Sequence, residues 1–317
     1  MLTLSLLTAP LAARAQAPAQ MPRIGSLGLN APTPTLEAFK QGLRDLGWIE
    51  GQTIAIEYRW AAGHVDRLPA LAAELVRLPV DLIVAAGTPV IRAAKDATTA
   101  IPIVMAFAAD PVRAGLVASL ARPGGNITGT SSIQPELAGK KLEFLRTLLP
   151  PLSRVAFLGY SGAGVPRLLI GDVQDAAERL GMQLQLVLIG SVEEMESAFA
   201  AQSRERAEAL MVQPLFMGGL GQGRRIADLA VKHRLPTISD VSSFTEAGGL
   251  LSYGADLLAF FRRAAIFVDK ILKGAKPGDL PVEQPTTFEL VINLKTAKSL
   301  DLPIPPVLLF QADKVIQ

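Results

Sequence analysis

The chain has 317 residues, half of them apolar and 5% aromatic, with 31 Lys and Arg against 29 Asp and Glu for a formal charge of +2. Its basic residues form no stripe, so nucleic-acid binding is not expected, and the absence of cysteine excludes disulfides, thiol nucleophiles and thiolate metal sites. His64 and His233 sit in amphipathic helical surroundings and read as ordinary surface residues, so no metal or cofactor is implied.

The length suits two domains of roughly 150 residues, and the wealth of Ala, Leu and Val suits helices on both faces of a parallel sheet. Residues 2–13 are apolar and end in Ala13-Arg14-Ala15, an A-x-A cleavage pattern followed by a Pro/Ala spacer. Residues 1–21 are therefore expected to be a leader and spacer cleaved near Ala15, with export to the periplasm, although no Lys or Arg precedes the apolar run. No other apolar run reaches the roughly 18 residues of a membrane span.

From Arg23 onward, strand and helix alternate with little linker, the pattern of a doubly wound α/β sheet. Strands are expected at 24–29, 53–58, 80–86, 102–107 and 127–130, with helices at 35–46, 65–78, 89–97 and 112–120. The second half repeats the theme: helices at 137–149, 166–180, 192–206 and 221–233, and strands at 155–160, 183–189, 209–213, 236–239 and 250–253. A long helix at 257–272 and an extended segment at 281–293 follow, so the chain passes between lobes more than once and a hinge is expected. The seam falls at 129–132, giving one lobe of 22–130 plus about 254–282 and a second of 131–253 plus about 283–317.

Gly87-Thr88-Pro89 follows a buried strand and predicts Thr88 as N-cap and Pro89 as first helical residue, with Gly87 letting backbone approach a ligand. Free N–H groups and the positive end of a helix dipole there would suit a carboxylate. Asp110-Pro111 repeats the device with a carboxylate that either caps its own helix or faces a ligand ammonium. In the second half Asp240, at a strand end, is a candidate partner for a ligand ammonium or a helix cap, and Asp256 either reaches that amine or caps the helix at 257. Phe107, Phe216, Phe244 and Tyr253 could hold an apolar body. There is no P-loop, G-x-S-x-G, H-E-x-x-H or Rossmann glycine fingerprint, and the Gly-rich run 218–223 lacks the Lys-Ser/Thr of a phosphate loop. A binder is favoured over an enzyme.

The phrases FKQGLRDLGW at 39–48, IEYRW at 56–60, DRLPALAAEL at 66–75, Gly87-Thr88-Pro89, Asp110-Pro111, LVASLARPGGN at 116–126, EAGGL at 246–250 and FELVINLKTA at 288–297 closely resemble the ABC-transporter substrate-binding family. Characterised members of that family include proteins that bind tryptophan and other aromatic amino acids, and the resemblance spans essentially all of residues 22–317. It implies a type I periplasmic-binding fold, two Rossmann-like lobes with three crossovers that close on a small ligand. It further implies a cleft lined by the loops at 26–30 (with Ser26 and Asn30), 87–89 and 107–110, facing Ser131, Ser132, Tyr160, Phe216, Asp240 and Tyr253. Tyr160-Ser161-Gly162, where many relatives carry an Asn-rich loop, and the unusual Phe216-Met217-Gly218-Gly219 leave the ligand open. The expected function is the extracytoplasmic solute-binding component of an ABC importer, a monomer that captures an amino acid or aromatic acid and presents it to a membrane permease. The alternative is a ligand-sensing subunit of a signalling system on the same fold.

Overall fold

Apolar runs bounded by glycine, proline or charged residues become the strands of two sheets. The computed structural model describes residues 21–31, 34–132, 134–161, 167–214, 216 and 222–317, so the expected leader and most of the Gly-rich run lie outside the described residues. The first sheet contains β1 (Arg23–Gly28), β2 (Ala55–Trp60), β3 (Leu82–Ala86), β4 (Ile103–Ala109) and β5 (Ile127–Ser132), all parallel, in the order β2-β1-β3-β4-β5. The second contains β6 (Arg154–Tyr160), β7 (Gln183–Ile189), β8 (Ala209–Val212), β9 (Thr237–Ser239), β10 (Leu251–Gly254), β11 (Glu289–Asn293) and β12 (Lys314–Ile316). Its order is β12-β11-β10-β9-β8-β6-β7, and only the β10–β11 pair is antiparallel.

Helices α1 (Pro34–Asp45), α2 (Leu68–Arg77) and α3 (Thr88–Ala97) belong to the first lobe, and α4 (Gln134–Leu148), α5 (Arg167–Arg179), α6 (Met195–Glu205), α7 (Gln222–Lys232) and α8 (Ser242–Glu246) to the second. Then come α9 (Leu257–Leu272), α10 (Leu294–Ser299) and α11 (Pro306–Gln311). Among the described residues no helix is long and apolar enough to cross a membrane.

Although α9 leaves the second sheet at β10, it packs on the first. Ala264, Ala265, Phe267 and Val268 share a core with Ile24, Phe39, Leu43, Val84 and Val104. Gly42 allows α1 to come this close, since a Cβ there would stand 2.9 Å from both the Ala265 Cβ and the Arg262 carbonyl oxygen. Asp256 starts the helix by accepting from the Leu258 N–H at 2.7 Å, and the Trp48 Nε1–H donates to Asp269 at 2.9 Å.

Three chain passages join the lobes: β5 to α4, β10 to α9, and the segment before β11. This last one runs beside β5, with the Ser131 N–H donating to the Glu283 carbonyl (2.8 Å), the Glu283 N–H to that of Gly129 (2.9 Å) and the Thr128 hydroxyl to that of Leu280 (2.7 Å). Arg263 of α9 grips the Glu283 carboxylate through both Nε and Nη2. Away from these strands, Arg113 of the first lobe donates to Asp172 on α5 of the second at 2.6 Å. That hydrogen bond holds the Arg113 guanidinium above its ordinary pKa.

The expected helix at 112–120 is absent, and the segment forms turns. Asp110 (φ 32°) and Gly115 (φ 62°) have left-handed backbone, and the carbonyls of Ala114 and Gly115 accept from Arg92 and Lys95 of α3 instead of from amides four residues on. Residues 192–206 open with a 3-10 turn before α6, and only Glu289–Asn293 of the extended tail pairs as strand. The short α8, α10, α11 and β12 were not anticipated, because elements of three to six residues carry little periodicity.

At the first passage Gly129 has φ 134°, and a Cβ would lie 2.1 Å from the Met105 carbonyl oxygen of β4. Gly129→Ala is expected to destabilise the protein by about 3 kcal/mol in denaturant titrations. Arg113→Ala, which removes an ion pair that bridges the two lobes, is expected to weaken ligand binding about fivefold at low salt, and less at high salt. Unchanged affinity in calorimetric titrations at low salt would contradict this role.

Candidate functional site

In the first sheet the chain goes outward from β1 to β2 and returns across to β3, so the connections after β1 and β3 leave on opposite faces. Such a switch point leaves a crevice at the carboxyl ends of the two strands, where open α/β sheets bind ligands. A cavity of about 100 Å³ lies there, bordered by Ser26 and Gly28 of β1, Asn30 just beyond it, Ala86 and Gly87 at the end of β3, Phe107 of β4 and Trp60 of β2. The first two turns of α1 and of α9 close it through Leu36, Phe39, Leu257 and Phe261. The second sheet repeats the order, with β6 and β8 at its own switch point, so the fold carries the device twice.

The cavity walls are mainly apolar. Trp60 lies over Gly28, where a Cβ would meet its ring at 2.4 Å, so the glycine makes room for the indole. Phe107 is braced edge-on by Phe260, with ring centroids 5.5 Å apart. Asn30 is 9% exposed and its Nδ2 finds no hydrogen-bond acceptor among the described residues. An amide donor buried in that state costs about 1–3 kcal/mol, and with less than 1 Å² of surface the nitrogen is closed to a molecule in the cavity.

At the rim, helix α3 starts one residue earlier than expected. Gly87 is the N-cap with φ 89°, a left-handed backbone that favours glycine, and Thr88 and Pro89 are the first two helical residues. The Thr88 hydroxyl engages the backbone of Ala109, 3.4 Å from its nitrogen and 3.5 Å from its oxygen, and so ties α3 to the end of β4 instead of capping. Gly87 at the start of α3 borders the cavity, but the expected set of free N–H groups is not found there: the Gly87 N–H donates to the Phe107 carbonyl at 2.7 Å, those of Val90 and Ile91 to the Gly87 carbonyl at 3.0 Å, and Pro89 has none, which leaves the Thr88 N–H and the helix dipole.

Several acids expected at a ligand are already engaged. Asp240 forms an ion pair with Lys141 of α4, and both are almost fully buried, at 7% and 3% exposure. Removing either partner would strand a buried charge, at a cost of about 3–5 kcal/mol. Asp256 caps α9 and lies 3.8 Å from Arg262, while Asp110 accepts from the Arg113 N–H at 3.0 Å. Asp256 also borders a second cavity, of about 240 Å³, among the lobe passages with Thr130, Arg263 and Glu283.

The remaining expected residues are dispersed. Phe216 and Phe244 are fully buried in the core, the latter beneath Gly249, where a Cβ would stand 2.3 Å from the ring. Tyr253 packs edge-on against Phe144 at 5.0 Å. Ser131 and Ser132 are buried in β5, their hydroxyls bonding the carbonyls of Ser132 and Ala108. Tyr160 ends β6, and its side chain lies outside the described residues. Of the expected set, Ser26, Asn30, Gly87 and Phe107 border the switch-point cavity. Trp60, Phe39 and Phe261 border it too and were not singled out, although an aromatic at the carboxyl end of β2 is a signal available in sequence.

A family model described as ABC transporter substrate binding protein matches residues 30–316. The chain is similar to a tyrosine-binding protein of Clostridioides difficile (strain R20291), 28% identical over 275 residues that cover 85% of this chain and 78% of that one. Among solved structures, it resembles an ABC domain from Streptococcus pneumonia in complex with L-Trp, with TM-score 0.82, 26% identity and coverage of 94% of this chain and 100% of that one. A conserved domain protein from Vibrio cholerae matches with TM-score 0.84 and 26% identity over 93% of this chain and 100% of that one. The two lobes have the type I periplasmic-binding fold, and the matched family and the tyrosine-binding relative are binding proteins rather than catalysts. The chain thus belongs to the ABC transporter substrate binding protein family.

Proposed function

We propose that this protein is the extracytoplasmic solute-binding component of an ABC importer, capturing a small carboxylate-bearing ligand with an apolar or aromatic body and presenting it to a membrane permease. The observation that carries the reading is the switch-point cavity, which joins apolar walls from Trp60 and Phe107 to the positive end of α3 at Gly87 and Thr88. The walls take the body and the helix end takes the carboxylate. Relatives named for tyrosine and crystallised with L-Trp support both halves of that ligand. The A-x-A pattern ending at Ala15 supports export.

The protein acts as a monomer and needs no cofactor. The walls of the cavity come from the first lobe and from α9, so a ligand seated there favours the closed arrangement only as far as the second lobe touches its exposed end, and contacts such as Arg113 to Asp172 add to that arrangement.

A thermal-shift screen of amino acids and aromatic acids tests the reading. A true ligand at a hundred times its Kd adds about 2.7 kcal/mol and is expected to raise Tm by about 5 °C or more. Trp60→Ala should weaken that ligand at least about tenfold in calorimetry while the fold persists. If no carboxylate-bearing compound shifts the Tm, the proposal fails.

A further inference from the structure

We propose that the ligand of this protein is a carboxylic acid with no ammonium group beside its carboxylate, and that the site refuses amino acids because the acids around the cleft are already taken up by the protein's own cations and amides. The inference rests on the solute-binding reading above and narrows its ligand class.

The cavity itself offers no charge. Among the described residues that border it none is acidic or basic, and apart from the Trp60 N–H its polar side chains are Ser26, Asn30 and Thr35. The carboxylate has the start of α3, where the dipole is positive and the Thr88 N–H is left over. An amino acid carries its ammonium on the carbon next to that carboxylate, so the cation arrives at the same positive end. There it meets repulsion and loses hydration, which an oxygen of the protein would have to offset. The carbonyls of Gly87 and Phe107 already accept, the first from the Val90 and Ile91 amides and the second from the Gly87 amide.

The acids that close strands β4, β9 and β10 are engaged as well. Asp110 adjoins the rim, since the Thr88 hydroxyl lies 3.4 Å from the nitrogen of Ala109. It accepts from the Arg113 N–H at 3.0 Å and has the Arg113 guanidinium 3.6 Å away. In the second lobe Asp172 pairs with the same arginine, and Asp240 with the buried Lys141. Asp256 caps α9, and Arg263 holds Glu283. The loops after β6 and β8 add no acid, because residues 161–166 read SGAGVP and 213–221 read QPLFMGGLG. Selectivity of this kind is a refusal, in which the unwanted cation finds no partner.

The test is a calorimetric comparison within three series: phenylalanine, 3-phenyllactate and 3-phenylpropionate; leucine, 2-hydroxy-4-methylpentanoate and 4-methylpentanoate; and tryptophan, indole-3-lactate and indole-3-propionate. In the series that binds best, the unsubstituted acid and its hydroxy counterpart should both bind at least about tenfold more tightly than the amino acid. A smaller gap, or an amino acid that binds best, overturns the proposal, and the solute-binding reading then still stands. The hydroxy acid separates charge from bulk: if it binds as weakly as the amino acid, the refusal is steric and the proposal is overturned. Glu136, in the first turn of α4, has its side chain outside the described residues, and Glu136→Gln should change all members of a series by the same factor. A loss confined to the amino acid would mark Glu136 as the ammonium's partner and overturn the proposal. Should none of these compounds bind, this proposal falls, and only the broader screen above decides the solute-binding reading.

Discussion

Two parallel neighbours, β1 and β3, whose continuing chains leave on opposite faces are the constraint on which the site depends. No connection can cover the carboxyl ends of both strands, so a crevice is left open by topology before any side chain is chosen. Side chains then shape it. Gly28 yields space to the Trp60 indole, Gly87 takes the left-handed backbone from which α3 starts, and α9 arrives from the other lobe to form part of the wall. Because α9 enters the first lobe's core from the hinge, the cavity wall and the lobe connection are one mechanical unit. A change in the relative position of the lobes can therefore reach the cavity through Leu257 and Phe261.

The charged groups do structural work at the points where the lobes meet. Lys141 and Asp240 neutralise one another inside the second lobe. Arg263 fixes Glu283 among the passages, and Arg113 reaches across to Asp172, whose side chain is 7% exposed against 43% for its partner. An exposed arginine paired with a largely buried carboxylate is an arrangement that separation of the lobes would disrupt. In the proposed reading the apolar cavity seats the ligand and the polar contacts between lobes add to closure.

Much of this was legible in the sequence because its strands are long aliphatic runs and its helices carry clear periodicity. The alternation of strand and helix, the start of α3 to within one residue and the capping role open to Asp110 and Asp256 all follow from local chemistry. What resisted reading depends on partners distant in sequence. Residues 112–120 look helical, but side chains of Arg92 and Lys95 take the carbonyls a helix would need. Asp240 looks like a free carboxylate until Lys141, 99 residues away, is brought against it. Phe216 and Phe244 look like ligand contacts, but core packing claims them. Trp60 was legible as an aromatic at the end of β2, but its place in the site comes from the strand order, which puts the end of β2 beside that of β1.

The most direct measurement is diffraction from crystals grown with a saturating ligand found by the screen. The account expects density for the ligand's apolar body between Trp60, Gly28 and Phe107, with its carboxylate toward the start of α3. A ligand bound wholly against the second lobe, with the cavity at the ends of β1 and β3 unfilled, would contradict it.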